Sequence, residues 1–196
     1  MDAKPKVAIG VRPKTGWAIV VVVTDQAHPR ALVRERVELL GDPDRFVYHR
    51  AEALGSLPAA AKLIDAERGK VIAQARHALE RIQSHAAAQD EVVALGVVAA
   101  AAKPDPPLEA VLKTHMKVHG AEGRFYPACW IAAGQALNLR VTRLAEKDAT
   151  LTVAERCDTD EAEAAEMLKA MGARLGRPWD ADCKLAAAAA WAALGS

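Results

Sequence analysis

The segment from Val7 to Val23, VAIGVRPKTGWAIVVVV, restricts the fold of this 196-residue chain more than any other feature of the sequence. Apolar and β-branched residues fill both of its ends, and a short stretch with Pro13 and Gly16 separates them. Runs of this kind form strands, and the stretch between them forms a hairpin loop. A third such run, ALVRERVELL, covers residues 31–40. The three runs together predict an antiparallel three-stranded meander.

Helix and strand patterns alternate through the remainder of the chain. Gly41 to Pro43 break any regular element, and a loop with a short turn of helix follows them. A long amphipathic helix is predicted from Leu57 to about Ala87, because its apolar residues recur with a helical period. The continuous apolar run EVVALGVVAA, residues 91–100, is typical of a buried parallel strand.

The last hundred residues follow the same alternation. Two helical patterns, residues 108–119 and 126–137, lead to a short strand at 139–144. Asp158 and Glu161 have the spacing of a capping box for a helix that continues through residue 175. Asp180 or a neighbour is expected to cap a final helix that ends at residue 194.

This element order predicts a single α/β domain over residues 1–196. It is the order of the ribonuclease H-like fold, in which an antiparallel meander is followed by two parallel crossover strands and helices cover both faces. The residues also resemble a family within that fold. VAIGVRPKTGWAIVVV resembles the first hairpin of RuvC-type Holliday-junction resolvases, and the tail DADCKLAAAAAWAAL is similar to their last helix.

The resemblance implies a nuclease that binds two divalent metal ions with convergent carboxylates, the first of them on the first strand. Here the aligned position is Val11 or Arg12, and no acidic residue lies between Asp2 and Asp25. The fourth strand, where the family has a Glu, also lacks an acid, so only Asp180 and Asp182 match. We therefore expect a divergent ribonuclease H-like protein without two-metal nuclease activity.

Charge and cysteine content restrict the partners and the compartment. The 26 Lys and Arg against 25 Asp and Glu leave no global field that would attract a polyanion, so nucleic-acid binding requires a local basic patch. The three cysteines are odd in number and widely spaced, which fits a reducing cytosol better than a disulfide framework. The N-terminus lacks the apolar core of a signal peptide. A soluble, cytoplasmic protein without membrane contact is expected.

Basic residues in two segments are candidates for contact with phosphate groups. The hairpin loop carries Arg12, Lys14 and Thr15, whose side chains and turn amides could hold a phosphate or simply turn the chain. A second cationic segment, residues 113–124, contains Lys113, Lys117 and Arg124. The predicted ligand of this combined set is a nucleic-acid backbone or a small molecule that bears phosphate.

The same second segment contains His115, His119 and Glu122. The two histidines are four residues apart and therefore share a helical face, which suits a shared metal ion or acid–base catalysis with Glu122. Gly120 is expected to end the helix. The alternative is that both histidines interact with the negative end of the helix dipole and only cap the helix.

Three functions remain open on the sequence alone. The protein could be a binding module for phosphates, a hydrolase that uses His115, His119 and Glu122 on a phosphate-bearing substrate, or a structural protein whose Ala-rich helices form a homodimer. No cofactor is assigned. The first two functions require the hairpin and the 113–124 segment to face one cleft.

Overall fold

Five strands form one mixed sheet in the computed structural model, which describes residues 4–26, 28–86 and 88–195. The order across the sheet is β3-β2-β1-β4-β5. Strands β1, β2 and β3 pair antiparallel, whereas β4 lies parallel to β1 and to β5. The predicted meander and two parallel crossover strands are confirmed. The strands are β1 (Lys6–Lys14), β2 (Trp17–Thr24), β3 (Ala31–Glu38), β4 (Glu91–Val98) and β5 (Arg140–Leu144).

The helices lie between and after the strands. They are α1 (Val47–Ala53), α2 (Leu57–Ala86), α3 (Leu108–Leu112), α4 (His115–Ala136), α5 (Ala149–Cys157), α6 (Glu161–Ala170) and α7 (Ala181–Leu194), with a short 3₁₀ turn at Glu146–Asp148. The predicted end of α2 at residue 87 falls outside the described residues.

Two predicted helix boundaries near the end of the chain are wrong. The capping residue of α6 is Asp160, whose side chain accepts a hydrogen bond from the Glu163 amide, and the helix ends well before residue 175. Asp158 instead ends α5 in a left-handed conformation with φ of 51°. The sequence pattern does not predict α5, because the apolar residues of this helix are few and its start follows the 3₁₀ turn directly.

Helices cover both faces of the sheet, and the alternation of side chains along β1 shows how. Val7, Ile9 and Val11 pack with α1, α2 and α4 on one face. Ala8 belongs to the other core cluster, which contains α5, α6 and α7. Side chains on both faces are therefore buried, which explains why the central strands are continuously apolar rather than alternating.

Helix α7 lies unusually close to the sheet because two glycines face it. A Cβ atom added at Gly10 would lie 1.8 Å from the Ala186 carbonyl oxygen, and one at Gly96 would lie 1.8 Å from that of Ala189. The alanines of α7 are buried against the sheet of their own chain. These alanines are therefore not free to form a homodimer seam, and the homodimer of Ala-rich helices stays a prediction.

Two further expectations concern membrane contact and cysteines. Across the described ranges, no helix combines the length and the apolar character that crossing a membrane requires. Cys129 and Cys183 are buried and form no disulfide. Burial raises the pKa of the Cys129 thiol to about 12, so this thiol is not an activated nucleophile.

Candidate functional site

A cleft of about 590 Å³ lies at the edge of the sheet where β1, β4 and β5 end. The carboxyl ends of parallel strands are the usual place for ligands in open α/β sheets. The cleft is lined by Arg12 and Pro13 of β1, Val98 to Lys103 and Asp105 after β4, Gly123, Arg124, Pro127 and Ala128 of α4, and Arg143 and Ala145 to Lys147 around the end of β5.

The charge of this cleft is locally positive although the chain as a whole is almost neutral. Five basic side chains line it, against the two acids Asp105 and Glu146. Arg124 is paired with Asp105 at 2.9 Å. Among the described residues, no carboxylate lies within 4.0 Å of Lys103 or Arg143. The cleft is thus a local patch of the kind that a neutral chain needs in order to bind a polyanion.

Arg12 extends into this cleft from a strand rather than from a loop. The sequence predicts Arg12 and Lys14 in the hairpin loop, but β1 pairs with β2 as far as Lys14 and Trp17, which leaves only Thr15 and Gly16 in the turn. That prediction is wrong because Pro13 fits the strand, where it pairs with Ala18. The rigid strand therefore fixes the position of the Arg12 backbone.

Two carboxylates from distant parts of the chain hold the Arg12 guanidinium. Its Nη2 lies 2.7 Å from Glu146 Oε2, and its Nε lies 3.4 Å from Asp182 Oδ1 in the first turn of α7. Lys14 Nζ reaches the same Asp182 oxygen at 3.1 Å. The Arg12 side chain is 17% exposed, whereas that of Glu146 is 57% exposed.

The residues at this edge do not fit a pair of catalytic metal ions. Within the described ranges, no group of three or more His, Cys, Asp or Glu side chains is arranged to hold a metal ion. Asp182 and Glu146 are the acids that converge at Arg12, and the guanidinium between them supplies the positive charge that compensates theirs. A divalent cation at this place would be repelled by Arg12 and Lys14.

A second cavity, of about 450 Å³, adjoins the cleft, and we call it the hairpin groove. It shares Pro13, Gly123 and Pro127 with the cleft. Its other lining residues are Lys14, Thr15, Trp17, Arg45, Phe46, Glu122 and Tyr126. The hairpin and α4 therefore face common cavities, as the binding and hydrolase interpretations both require.

Glu122 reaches the hairpin groove but is a buried, fully engaged carboxylate. Its side chain is 4% exposed. Oε1 accepts a hydrogen bond from the Val47 amide at 3.1 Å, and Oε2 accepts one from the Tyr48 amide at 2.8 Å. His49 Nδ1 lies 3.2 Å from Oε2. A carboxylate held in this way stabilises the amino end of α1.

Helix α4, which carries His115 and His119, differs from the prediction in where it ends. Gly120 does not end a helix, because α4 runs without a break from His115 to Ala136. Both histidines therefore lie in the first turns of α4, at its positive end, so the expected stabilisation by a negative helix end is absent. Both are exposed, and their rings lie 5.4 and 6.2 Å from the ring of His49.

The structure brings together only part of the predicted phosphate set. Arg12 and Arg124 line the cleft, and Lys14 and Thr15 line the hairpin groove. Lys113 is exposed and paired with Glu109, and Lys117 is exposed on α4, so neither lines these two cavities. Sequence reasoning missed Lys103, Arg143 and Glu146, although each lies at or soon after the end of a parallel strand.

No family model matches this chain, and no curated protein matches it in sequence. Solved structures do resemble it. The structure of Thermus thermophilus RuvC in complex with a Holliday junction substrate has a TM-score of 0.51 and 15% sequence identity, and the match covers 95% of this chain and 91% of that chain. A further Thermus thermophilus RuvC structure has a TM-score of 0.50 at 15% identity, with 95% and 92% coverage.

This likeness confirms the predicted fold. The protein has a mixed α/β structure of the ribonuclease H-like type, with a five-stranded sheet and helices on both faces. A structural likeness at 15% identity shows the fold alone, so the chemistry has to be argued from the residues at the sheet edge.

Proposed function

We propose that this protein binds nucleic acid through its phosphates at the basic cleft and does not cleave it by two-metal chemistry. The observation that carries the proposal is the Arg12 guanidinium, which lies between Asp182 and Glu146 where the parallel strands end. The guanidinium of Arg12 is a permanent positive charge that Asp182 and Glu146 offset until a phosphate displaces one of them. Guanidinium groups also bind phosphate oxygens in a bidentate geometry.

The two carboxylates differ in how readily they can release Arg12. Asp182 is 24% exposed and also contacts Lys14, so it anchors both cations from the first turn of α7. Glu146 is more than half exposed, and an exposed pair of this kind is worth only about 0–1 kcal/mol. A phosphate can therefore replace Glu146 at Arg12 while Asp182 keeps the guanidinium in place.

Nucleic acid is a better ligand for this cleft than an isolated small phosphate. Lys103, Arg143 and Lys147 line the cleft together with Arg12, so several phosphates of one backbone can be contacted at once. The structural neighbour in complex with a Holliday junction substrate supports the same class of ligand.

Binding is tested by fluorescence anisotropy with labelled DNA, as a four-way junction, a duplex and a single strand, over a series of salt concentrations. We expect binding that is equal in EDTA and in Mg²⁺. Replacing Arg12 and Lys14 together by Ala should weaken binding and reduce the log–log salt slope by about one to two, since each lost phosphate contact releases about one counterion fewer.

A matched control removes two cations that line neither cavity, Arg76 on α2 and Lys169 on α6, which are paired with Glu80 and Glu166. The Arg76→Ala, Lys169→Ala variant loses the same formal charge and should keep the wild-type salt slope. Equal losses in both double variants would overturn the proposal, because they would show that binding depends on net charge rather than on the cleft.

Catalysis is tested separately by incubating the same DNA probes and an RNA–DNA hybrid with Mg²⁺ or Mn²⁺. We expect no cleavage. Metal-dependent cleavage that is lost in Asp182→Asn would contradict the proposal, because it would mean that Asp182 binds a catalytic metal despite its contacts with Arg12 and Lys14.

The hydrolase prediction gains less support than the binding proposal, although His115, His119 and Glu122 all lie near His49. A hydrolase built on His115, His119 and Glu122 would need a free carboxylate, and the oxygens of Glu122 accept the amides of α1. The homodimer and the cytoplasmic location stay predictions.

A further inference from the structure

We propose that the hairpin groove accepts unpaired bases, so that the preferred ligand is a single-stranded segment of nucleic acid. This inference rests on the proposed function, because it assigns the bases of the strand whose phosphates occupy the cleft. It concerns residues that the phosphate proposal does not use. These are the aromatic side chains Trp17 and Phe46 and the cation Arg45.

Aromatic surface is rare in this protein, and part of it lines this groove. Aromatic residues make up 4% of the chain, yet Trp17, Phe46 and Tyr126 all line the hairpin groove. Phe46 is 37% exposed, and Trp17 is half-buried. Bases of any sequence stack on exposed rings of this kind, and this is how proteins bind single strands without sequence preference.

An arginine side chain lies over the ring of Trp17, and another lies over the ring of Phe46. The Arg36 guanidinium carbon lies 3.9 Å from the centroid of the Trp17 ring, and that of Arg45 lies 4.8 Å from the centroid of the Phe46 ring. Lys14 lines the same groove. Arg36 is paired with Glu38, and Arg45 with Asp42. A base that stacks on either ring would replace or adjoin the guanidinium there, which can itself stack on the base.

The groove is held in shape by contacts between its walls. The Tyr126 hydroxyl donates to the Arg45 carbonyl oxygen at 2.6 Å, which ties the loop before α1 to α4. Burial raises the pKa of Tyr126, so the hydroxyl keeps the proton that it donates. Gly16, with φ of 88°, lies so close to this loop that an added Cβ atom would be 2.8 Å from Arg45 Cβ.

The position of the groove beside the cleft favours a single strand over a duplex. Pro13, Gly123 and Pro127 line both cavities, so phosphates at Arg12 lie next to bases at Phe46. Bases in a duplex are paired and stacked on each other and cannot lie on a protein ring unless they are unpaired. Unpaired bases can be splayed out and stacked on aromatic side chains.

The test compares three probes of equal length on the full chain by anisotropy. The probes are a labelled 12-nucleotide (dT)12, an abasic 12-mer with the same number of phosphates, and a 12-base-pair duplex. We expect (dT)12 to bind at least fivefold more tightly than the abasic strand, and more tightly than the duplex. Because the two single strands have the same backbone charge, a difference in their affinities arises from the bases.

Variants test whether the difference in affinity between (dT)12 and the abasic strand arises in the hairpin groove. Phe46→Ala should lower the affinity for (dT)12 about fivefold or more and leave that for the abasic strand unchanged, whereas Phe46→Trp should retain the preference for bases. Leu151→Ala is the control, since Leu151 is an exposed apolar side chain on α5 that lines neither cavity. Thermal denaturation of each variant confirms that it is folded.

The outcomes separate the two proposals. If (dT)12 and the abasic strand bind equally and with the same salt slope, the phosphate site stands and the base site is overturned. If none of the three probes binds, the proposed function itself has failed. If (dT)12 is preferred and Phe46→Ala keeps the preference, unpaired bases contact another surface and the assignment to the groove is wrong.

Discussion

The amino end of α1 adjoins the hairpin groove, and that of α7 contacts Arg12 and Lys14, but acidic residues interact with the two helix ends differently. Phe46 at the start of α1 provides no side-chain cap, and the buried Glu122 of α4 accepts the first amides of the helix instead. In α7 the exposed Asp180 accepts the Cys183 amide. Asp182 in the same turn instead contacts the cations Arg12 and Lys14.

The difference separates a structural carboxylate from one that can influence a ligand. Among the described residues, Glu122 accepts the backbone amides of Val47, Tyr48 and His49 and contacts the His49 ring, and the amides cannot leave without unfolding the start of α1. The partners of Asp182 are flexible cationic side chains, which can turn towards an incoming phosphate. Proximity of an acid to a cavity is thus a poor guide to its role, whereas the identity of its hydrogen-bond donors is informative.

The largest effect is expected for Glu122. Replacing it by Ala leaves the buried amides of Val47 and Tyr48 without an acceptor, and hydrogen bonds to a charged group are worth about 1.5–3 kcal/mol each. We expect the free energy of unfolding, measured by urea denaturation, to fall by about 3 kcal/mol. The control Glu166→Ala, at an exposed site on α6, should change it by less than about 0.5 kcal/mol. A similarly small loss for Glu122→Ala would mean that α1 needs no acceptor from α4.

A smaller effect is expected for Asp180. Removal of an N-cap side chain costs about 1 kcal/mol, so Asp180→Ala should be destabilised by that amount at neutral pH. The hydrogen bond from the Cys183 amide holds the pKa of Asp180 below its usual range. A carboxylate with a lowered pKa stabilises the fold above its unfolded-state pKa, and this contribution is lost as the pH falls through the folded-state pKa.

Urea denaturation of wild type and Asp180→Ala at several pH values checks this sign. The difference in stability should be full at pH 6–7 and should shrink below about pH 4, the ordinary range of an Asp carboxyl. A difference that grows as the pH falls would contradict the assignment of Asp180 as an ionised cap.

The sequence predicts those features of the fold that depend on the local pattern of apolar and polar residues. The apolar runs of β1, β2 and β4 identify the strands, because both faces of those strands are covered. The sequence also predicts that Asp180 or a neighbour caps the Ala-rich last helix, and the cap is Asp180. It does not predict contacts that the tertiary fold creates. Arg12 and Asp182 are 170 residues apart, and nothing in either neighbourhood indicates that they meet.

The role of Glu122 could not be predicted for the same reason. Its spacing from His115 and His119 places the three side chains on one face of α4, and all three lie near His49 of α1, but the sequence does not show that this face meets the start of α1. Glycine inside a helix costs about 1 kcal/mol relative to Ala, and the packing of α4 against α2 and the sheet exceeds that cost. The continuous helix directs Glu122 towards α1, which is 73–75 residues away in the sequence.

The smallest effect is expected for Asp182. It tests most directly the difference between this carboxylate, which contacts cationic side chains, and Glu122, which accepts backbone amides. Asp182→Asn keeps a side-chain oxygen that can still accept hydrogen bonds and hold Arg12 in place, but it removes the negative charge that opposes a phosphate at Arg12 and Lys14. Arg12 retains Glu146, so the free energy of unfolding should change by less than about 1 kcal/mol. The affinity for single-stranded DNA at about 0.1 M salt should rise about threefold, measured by anisotropy, since a weakened surface pair accounts for about 0.2–1 kcal/mol. Weaker binding would instead mean that Asp182 is needed to orient Arg12 towards the phosphate, and α7 would then act as a positioning element rather than as a source of competing charge.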